Sequence, residues 1–107
     1  LTATKQDLRD YLQKHLLVGD GAMATQLHRL GVPVGISYEE LCLSNPKLVL
    51  DVHNSYCQAG ARLLETNTFA ANRDALARYG MEHRVTRINR QAVSLAREAA
   101  QDQAYVA

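Results

Sequence analysis

The 107-residue sequence has no tryptophan and one phenylalanine, and its five tyrosines bring the aromatic total to six. That is too few to interleave stacking platforms with basic residues, as a single-strand nucleic-acid binder does. An excess of one charge sign is also missing. Twelve Lys and Arg stand against eleven Asp and Glu, a formal charge of +1, which gives no electrostatic footprint for nucleic acid or an acidic membrane. No run approaches the ~18 consecutive apolar residues of a membrane span. The opening segment LTATKQDLRDYLQKH is polar and lacks the apolar stretch of a signal peptide. The two cysteines, Cys42 and Cys57, form neither a disulfide framework nor a CxxC pair, so the expected setting is a reducing cytoplasm. Repeats, low-complexity runs and Pro/Gly/Ser linkers are absent as well. What is present is 47% hydrophobic and 21% charged residues, enough to bury a core.

The apolar pattern alternates between two periods. Leu8, Tyr11, Leu12 and His15 recur at helical spacing over Asp7 to Leu16, with Thr4 as the expected N-cap. Leu16-Leu17-Val18, closed by Gly19-Asp20-Gly21, reads as a short buried strand. A helix over Ala22 to Leu30, stopped by Gly31, and a loop over Val32 to Ser37 follow. Cys42 is expected in a loop ahead of a better-marked helix, with Asn45 as cap and Pro46 at the first helical position. Leu48, Val49, Val52, Tyr56 and Ala59 form that helix's apolar face, and Gly60 ends it. Leu63 and Leu64 predict a second buried strand, past which Thr66, Asn67 and Thr68 expose hydrogen-bonding side chains. A helical turn or two over Asn72 to Tyr79 stops at Gly80. Val85, Ile88, Ala92, Leu95, Ala96 and Ala99 then trace one face of a long amphipathic helix. Ala104 to Ala107 begins a third strand.

Alternating helices and strands imply an α/β fold with parallel strands and crossover connections. In such folds the chemistry lies at the C-terminal ends of the strands. Here those ends are Gly19-Asp20-Gly21 and Glu65-Thr66-Asn67-Thr68. Taken alone, the first reads rather as a turn pair, and the second equally as a strand end whose Asn and Thr bond nearby backbone.

Three segments resemble the homocysteine S-methyltransferase family: VGDGAMATQLHRLGV (18–32), the stretch from YEELCLSNP through AGARLLETNTF to RYGM (38–81), and INRQAVSLAREAA (88–100). The likeness runs over about residues 16–107 and keeps order and spacing; Ala24 stands where the family usually has glycine. It implies a TIM (β/α)8 barrel, of which this chain would be the N-terminal part: two βα units and the start of strand three. A barrel takes roughly 250 residues. On this reading 1–107 is a partial homocysteine-binding domain truncated before the zinc-ligand cysteines.

The implied activity moves a methyl group onto the thiol of homocysteine to form methionine. The implied partners are homocysteine and a methyl donor, which in the family is a methyl-folate, betaine or S-methylmethionine; the ISYEE and NPKLV segments look closest to members fused to a methylenetetrahydrofolate reductase. Nucleic acid and membranes are not expected partners. Asp20 offers a carboxylate to the substrate ammonium, and Gly21 and Ala22 offer backbone N–H groups to its carboxylate. Thr66 and Asn67 are the further substrate-binding candidates, ahead of Glu65. Catalytic and metal residues are not expected in this segment.

The zinc that the resemblance implies would activate the thiol in the complete enzyme. The family's three cysteine ligands, one mid-domain and an adjacent pair near the C-terminal end, have no counterpart here. His53 and Cys57 share a helix side at i, i+4, but two ligands do not make a zinc site, and a structural cysteine is the expectation. His15, His28 and His83 are expected at the surface. Arg73, Arg78, Arg84, Arg87, Arg90 and Arg97 hold half of the basic residues and read as solvated helix surface. The isolated segment is expected to be inactive; the alternative to an enzyme part is a non-catalytic piece that self-associates through its sheet edge and helix faces.

Overall fold

The computed structural model describes residues 5–107, with side-chain surroundings from residue 7 onward. The expected cap Thr4 lies outside the described residues. Helix α1 spans Lys5–Lys14, so it starts and ends two residues earlier than the apolar spacing predicts. Helices α2 (Ala24–Arg29), α3 (Leu41–Ser44) and α4 (Pro46–Gln58) precede strand β1 (Leu63–Leu64). Helix α5 (Arg73–Ala77), a 3-10 turn at Glu82–Arg84, helix α6 (Val85–Ala100) and strand β2 (Tyr105–Val106) follow.

The strands are short and parallel. Leu63 pairs with Tyr105 and Leu64 with Val106, and Gly19 forms a parallel bridge to Leu63 on the other edge. β1 is therefore central. The Leu63 carbonyl accepts the Asp20 N–H at 2.9 Å, and the Leu64 carbonyl accepts the Ala107 N–H at 2.8 Å. The expected strand over Leu16 to Val18 is reduced to that one bridge and is not buried: Leu16 is 93% and Val18 58% exposed. A parallel strand is stable as a buried run only when both its faces are covered, and the described helices leave these two side chains open.

Helix α6 is the covering element. Ile88, Ala92, Leu95, Ala96 and Ala100 are buried along it, as its periodicity predicts. The small Ala92 lets it lie close to Val49 and Val52 of α4, in one core with Leu27, Val32, Leu41 and Cys42. Leu64, the inward residue of β1, packs with Ala61 and Ala100, while its neighbour Leu63 faces the other side. Each fully buried Leu or Ile here contributes about 1.5–3 kcal/mol.

Three local expectations change. Asn45 does not cap α4 with its side chain. Its N–H instead donates to the Leu41 carbonyl at 2.8 Å, because α3 and α4 run back to back and Asn45 ends one as it starts the other. Cys42 accordingly sits in a helix rather than a loop; a four-residue segment is too short to show a period. On α4, Ala59 is exposed and His53 takes a buried place. Asn72 is the side chain that does cap, its Oδ1 accepting the Ala75 N–H at 2.9 Å. Among the described residues no helix is long and apolar enough to cross a membrane.

Candidate functional site

Parallel pairing puts the residues after Gly19 and after Leu64 at the same end of the sheet. They line a cavity of about 720 Å³ together with the 34–39 segment and Tyr79. All five residues picked from the sequence border it: Asp20, Gly21, Ala22, Thr66 and Asn67.

Asp20 is half-buried, and its Oδ2 accepts the Glu65 backbone N–H at 3.0 Å. The first strand end is thereby tied to the second. Burial raises the Asp20 pKa above its ordinary value; the nearby Glu65 charge adds to this, and the Glu65 N–H bond opposes it. Gly21 and Ala22 are exposed and lie ahead of α2, which starts only at Ala24. Their N–H groups donate to no backbone carbonyl among the described residues. The loop is held from below by Tyr56 of α4, whose hydroxyl donates to the Ala22 carbonyl at 2.8 Å.

The second strand end divides. The Thr66 and Thr68 hydroxyls bond each other at 2.8 Å, half-buried at the cavity wall. Asn67 is only 5% exposed, so the expectation that it is displayed beside them is corrected. Its Nδ2 donates to the Tyr38 carbonyl at 2.9 Å and to the Cys42 sulfur at 3.6 Å. A buried amide takes such partners because leaving them unmade is costly. The effect is to fasten the 38–42 segment to the strand end. Glu39 adds a second fastening, its carboxylate accepting the Ala70 N–H at 3.3 Å. Phe69 projects into solvent at the rim, 99% exposed.

Sequence reasoning missed Tyr56 and Glu39 as parts of this site. The aromatic on α4 read as core, and Glu39 stood out by no local pattern; the contacts of both depend on partners 34 and 31 residues away.

The cysteines and histidines do not gather. Among the described residues no three His, Cys, Asp or Glu side chains could hold a metal ion together. Burial pushes the Cys42 thiol up to about 11, against the opposing Asn67 bond, which disfavours the thiolate that zinc requires. Burial also raises Cys57, whose S–H points at the Ala99 carbonyl at 3.6 Å. His53 is fully buried, and neither ring nitrogen has a hydrogen-bond partner. The described residues therefore do not fit zinc. His15, His28 and His83 are exposed, as expected. Arg73, Arg78, Arg87, Arg90 and Arg97 are exposed too, and Arg84 lies 3.7 Å from Glu40.

Residues 17–107 match the family model described as homocysteine S-methyltransferase. The chain is 33% identical over 102 residues to a methionine synthase of Mycobacterium tuberculosis, a match covering 90% of this chain and 9% of that protein. Two crystal structures of the homocysteine methyltransferase MmuM of Escherichia coli are also similar. The metallated form superposes with a TM-score of 0.79 and the oxidized form with 0.80. Each is 32% identical, over 94% of this chain and 39% of that one. The chain thus spans under a tenth of the first relative's length and about two-fifths of the second's.

Proposed function

Since the chain belongs to the homocysteine S-methyltransferase family, we propose that it forms the first two βα units, and the start of the third strand, of a (β/α)8 barrel that methylates homocysteine. The observation that carries this reading is the meeting of Asp20 with the Glu65–Thr68 strand end around one cavity. Active sites of βα barrels are built at that end of the strands.

Asp20 pairs with the substrate ammonium, and the Gly21 and Ala22 N–H groups receive its carboxylate. Thr66 lines the wall, and Asn67 supports it from behind. Fixing both charged ends of a small amino acid aims its sulfur in one direction, which lowers the entropic part of the barrier to attack on the methyl donor. The thiol, with a pKa near ~8.5, is mostly protonated at neutral pH. Zinc would supply its ionisation in the complete enzyme, from ligands other than those described here. The donor is one of the family's methyl carriers, a methyl-folate, betaine or S-methylmethionine, and the setting a reducing cytoplasm, in keeping with two unpaired cysteines.

The test is methionine formation from homocysteine by the full-length protein that carries this chain. Methyl-folate, betaine and S-methylmethionine are each supplied as donor, with and without a chelator. Failure with every donor would overturn the activity, and turnover after complete zinc removal would overturn the metal's role. A second reading, self-association without catalysis, rests on the exposure of Leu16, Val18 and Phe69. Sedimentation of the 107-residue chain as a monomer with cooperative unfolding would exclude it.

A further inference from the structure

We propose that Tyr56 is a positioning residue for the substrate loop, holding the Gly21 and Ala22 N–H groups at the height where they meet a carboxylate. The proposal rests on the homocysteine-binding reading above and assigns the loop's geometry to a side chain from another element. Tyr56 sits near the C-terminal end of α4, 34 residues from the loop. Its hydroxyl donates to the Ala22 carbonyl at 2.8 Å. Its ring is packed with both main clusters of the core, so the hydroxyl is presented from a fixed base.

The second observation is steric and lies on the neighbouring residue. A Cβ added at Gly21 would stand 2.8 Å from the Tyr56 hydroxyl oxygen and 3.0 and 3.1 Å from two ring carbons. The loop therefore lies directly on the tyrosine, and a side chain at position 21 would have to displace it. The Ala22 carbonyl belongs to the Ala22–Met23 peptide, and packing against Gly21 bears on the two peptides before it, which carry the Gly21 and Ala22 N–H groups; the two contacts thus brace consecutive peptide units of one loop. Together they set which way the N–H groups face. Asp20 is anchored separately, through Glu65. The carboxylate-binding and ammonium-binding halves of the loop thus have different supports, one from α4 and one from the strand end. Disturbing Tyr56 should affect recognition of the substrate carboxylate and leave the Asp20 side of the site in place.

The experiment uses the full-length protein that carries this chain, with Tyr56→Phe, Gly21→Ala and the double variant. Homocysteine affinity is measured by calorimetry without donor, and KM for both substrates by turnover. Tyr56→Phe keeps the ring and removes one hydrogen bond, so homocysteine affinity should fall about five- to ten-fold. The donor KM should stay within about two-fold. Compounds that keep the amino and thiol groups but lack the carboxylate should bind both proteins equally. Gly21→Ala should weaken homocysteine further, and by a smaller factor in the Tyr56→Phe background, where the nearest colliding atom is gone. Such non-additivity marks direct coupling. Unchanged homocysteine affinity in Tyr56→Phe, an equal rise in both KM values, or strictly additive variants would overturn the assignment of Tyr56. A wild-type protein that binds no homocysteine would instead overturn the functional reading on which it rests.

Discussion

The Asp20 carboxylate accepts the backbone N–H of Glu65 at 3.0 Å across 45 positions of sequence. One side chain thereby does two jobs, closing the gap between two strand ends and placing a negative charge at the cavity. The jobs separate by substitution. Asp20→Asn keeps an oxygen for the Glu65 N–H and loses the charge; Asp20→Ala loses both. Homocysteine affinity should fall at least ten-fold in both variants. Thermal stability should fall only in Asp20→Ala, by about 1 kcal/mol for a half-exposed hydrogen bond. Calorimetric titration and thermal melts of the full-length protein check this, and unchanged affinity in Asp20→Ala would remove Asp20 from the binding site.

On the proposed function the same residue sets an acid limit on binding. Burial raises the Asp20 pKa from its ordinary 3.8, and a substrate ammonium would pair only with the ionised form. Homocysteine affinity should therefore decline on acidification beginning above pH 3.8, and Asp20→Asn should show no such limb. On stability the sign is opposite to that of a salt-bridged aspartate. A raised folded pKa means the folded state holds the proton more tightly, so the contribution of Asp20 to stability is fully present below its ordinary 3.8 and is lost as pH rises from there through the raised value.

His53 predicts acid lability of the fold. It is fully buried, and both ring nitrogens lack partners; burial lowers its pKa from the ordinary 6.5. Below pH 6.5 the unfolded chain takes up a proton that the folded chain refuses, so stability is complete above that pH and is lost as pH falls from 6.5 toward the lowered value. His53→Leu should flatten the melting temperature between pH 7 and pH 5, approximate limits chosen to bracket an ordinary histidine. A slope as steep as wild type would assign the acid sensitivity to other groups.

Asn67 should matter for stability first. Asn67→Ala leaves the Tyr38 carbonyl without its side-chain donor and opens space beside Cys42, at a cost of about 1–3 kcal/mol. Loosening of the 38–42 segment should show as faster hydrogen exchange there. A variant as stable as wild type but defective in homocysteine binding would mean that the amide serves the substrate directly.

Neither cysteine should hold metal. Cys57→Ala and Cys42→Ala in the full-length protein should leave zinc content unchanged by elemental analysis. In native protein, thiol alkylation near pH 8 should reach the half-buried Cys57 before the fully buried Cys42, whose pKa is about 11. Loss of stoichiometric zinc from either variant would contradict the unfavourable thiol environments described here.

Apart from α3 and the first strand, the order of elements was legible in the sequence because it rests on local periodicity. The apolar stripe from Val85 to Ala99, Pro46 at a helix start and the glycines at 31, 60 and 80 after α2, α4 and α5 all act within a few residues of themselves. So was the end of the sheet at which the cavity opens, since parallel strands place their C-terminal ends together. Only the tertiary structure decided which side chains there face the cavity. Asn67 turns inward because Tyr38 and Cys42 are packed beneath it, and Tyr56 reaches the loop because Gly21 has no Cβ to hold it away. Leu16 and Val18 stay exposed although their apolar run reads as core. Burial is a property of what packs on a residue, and those partners lie tens of positions away along the chain, beyond the reach of any local pattern.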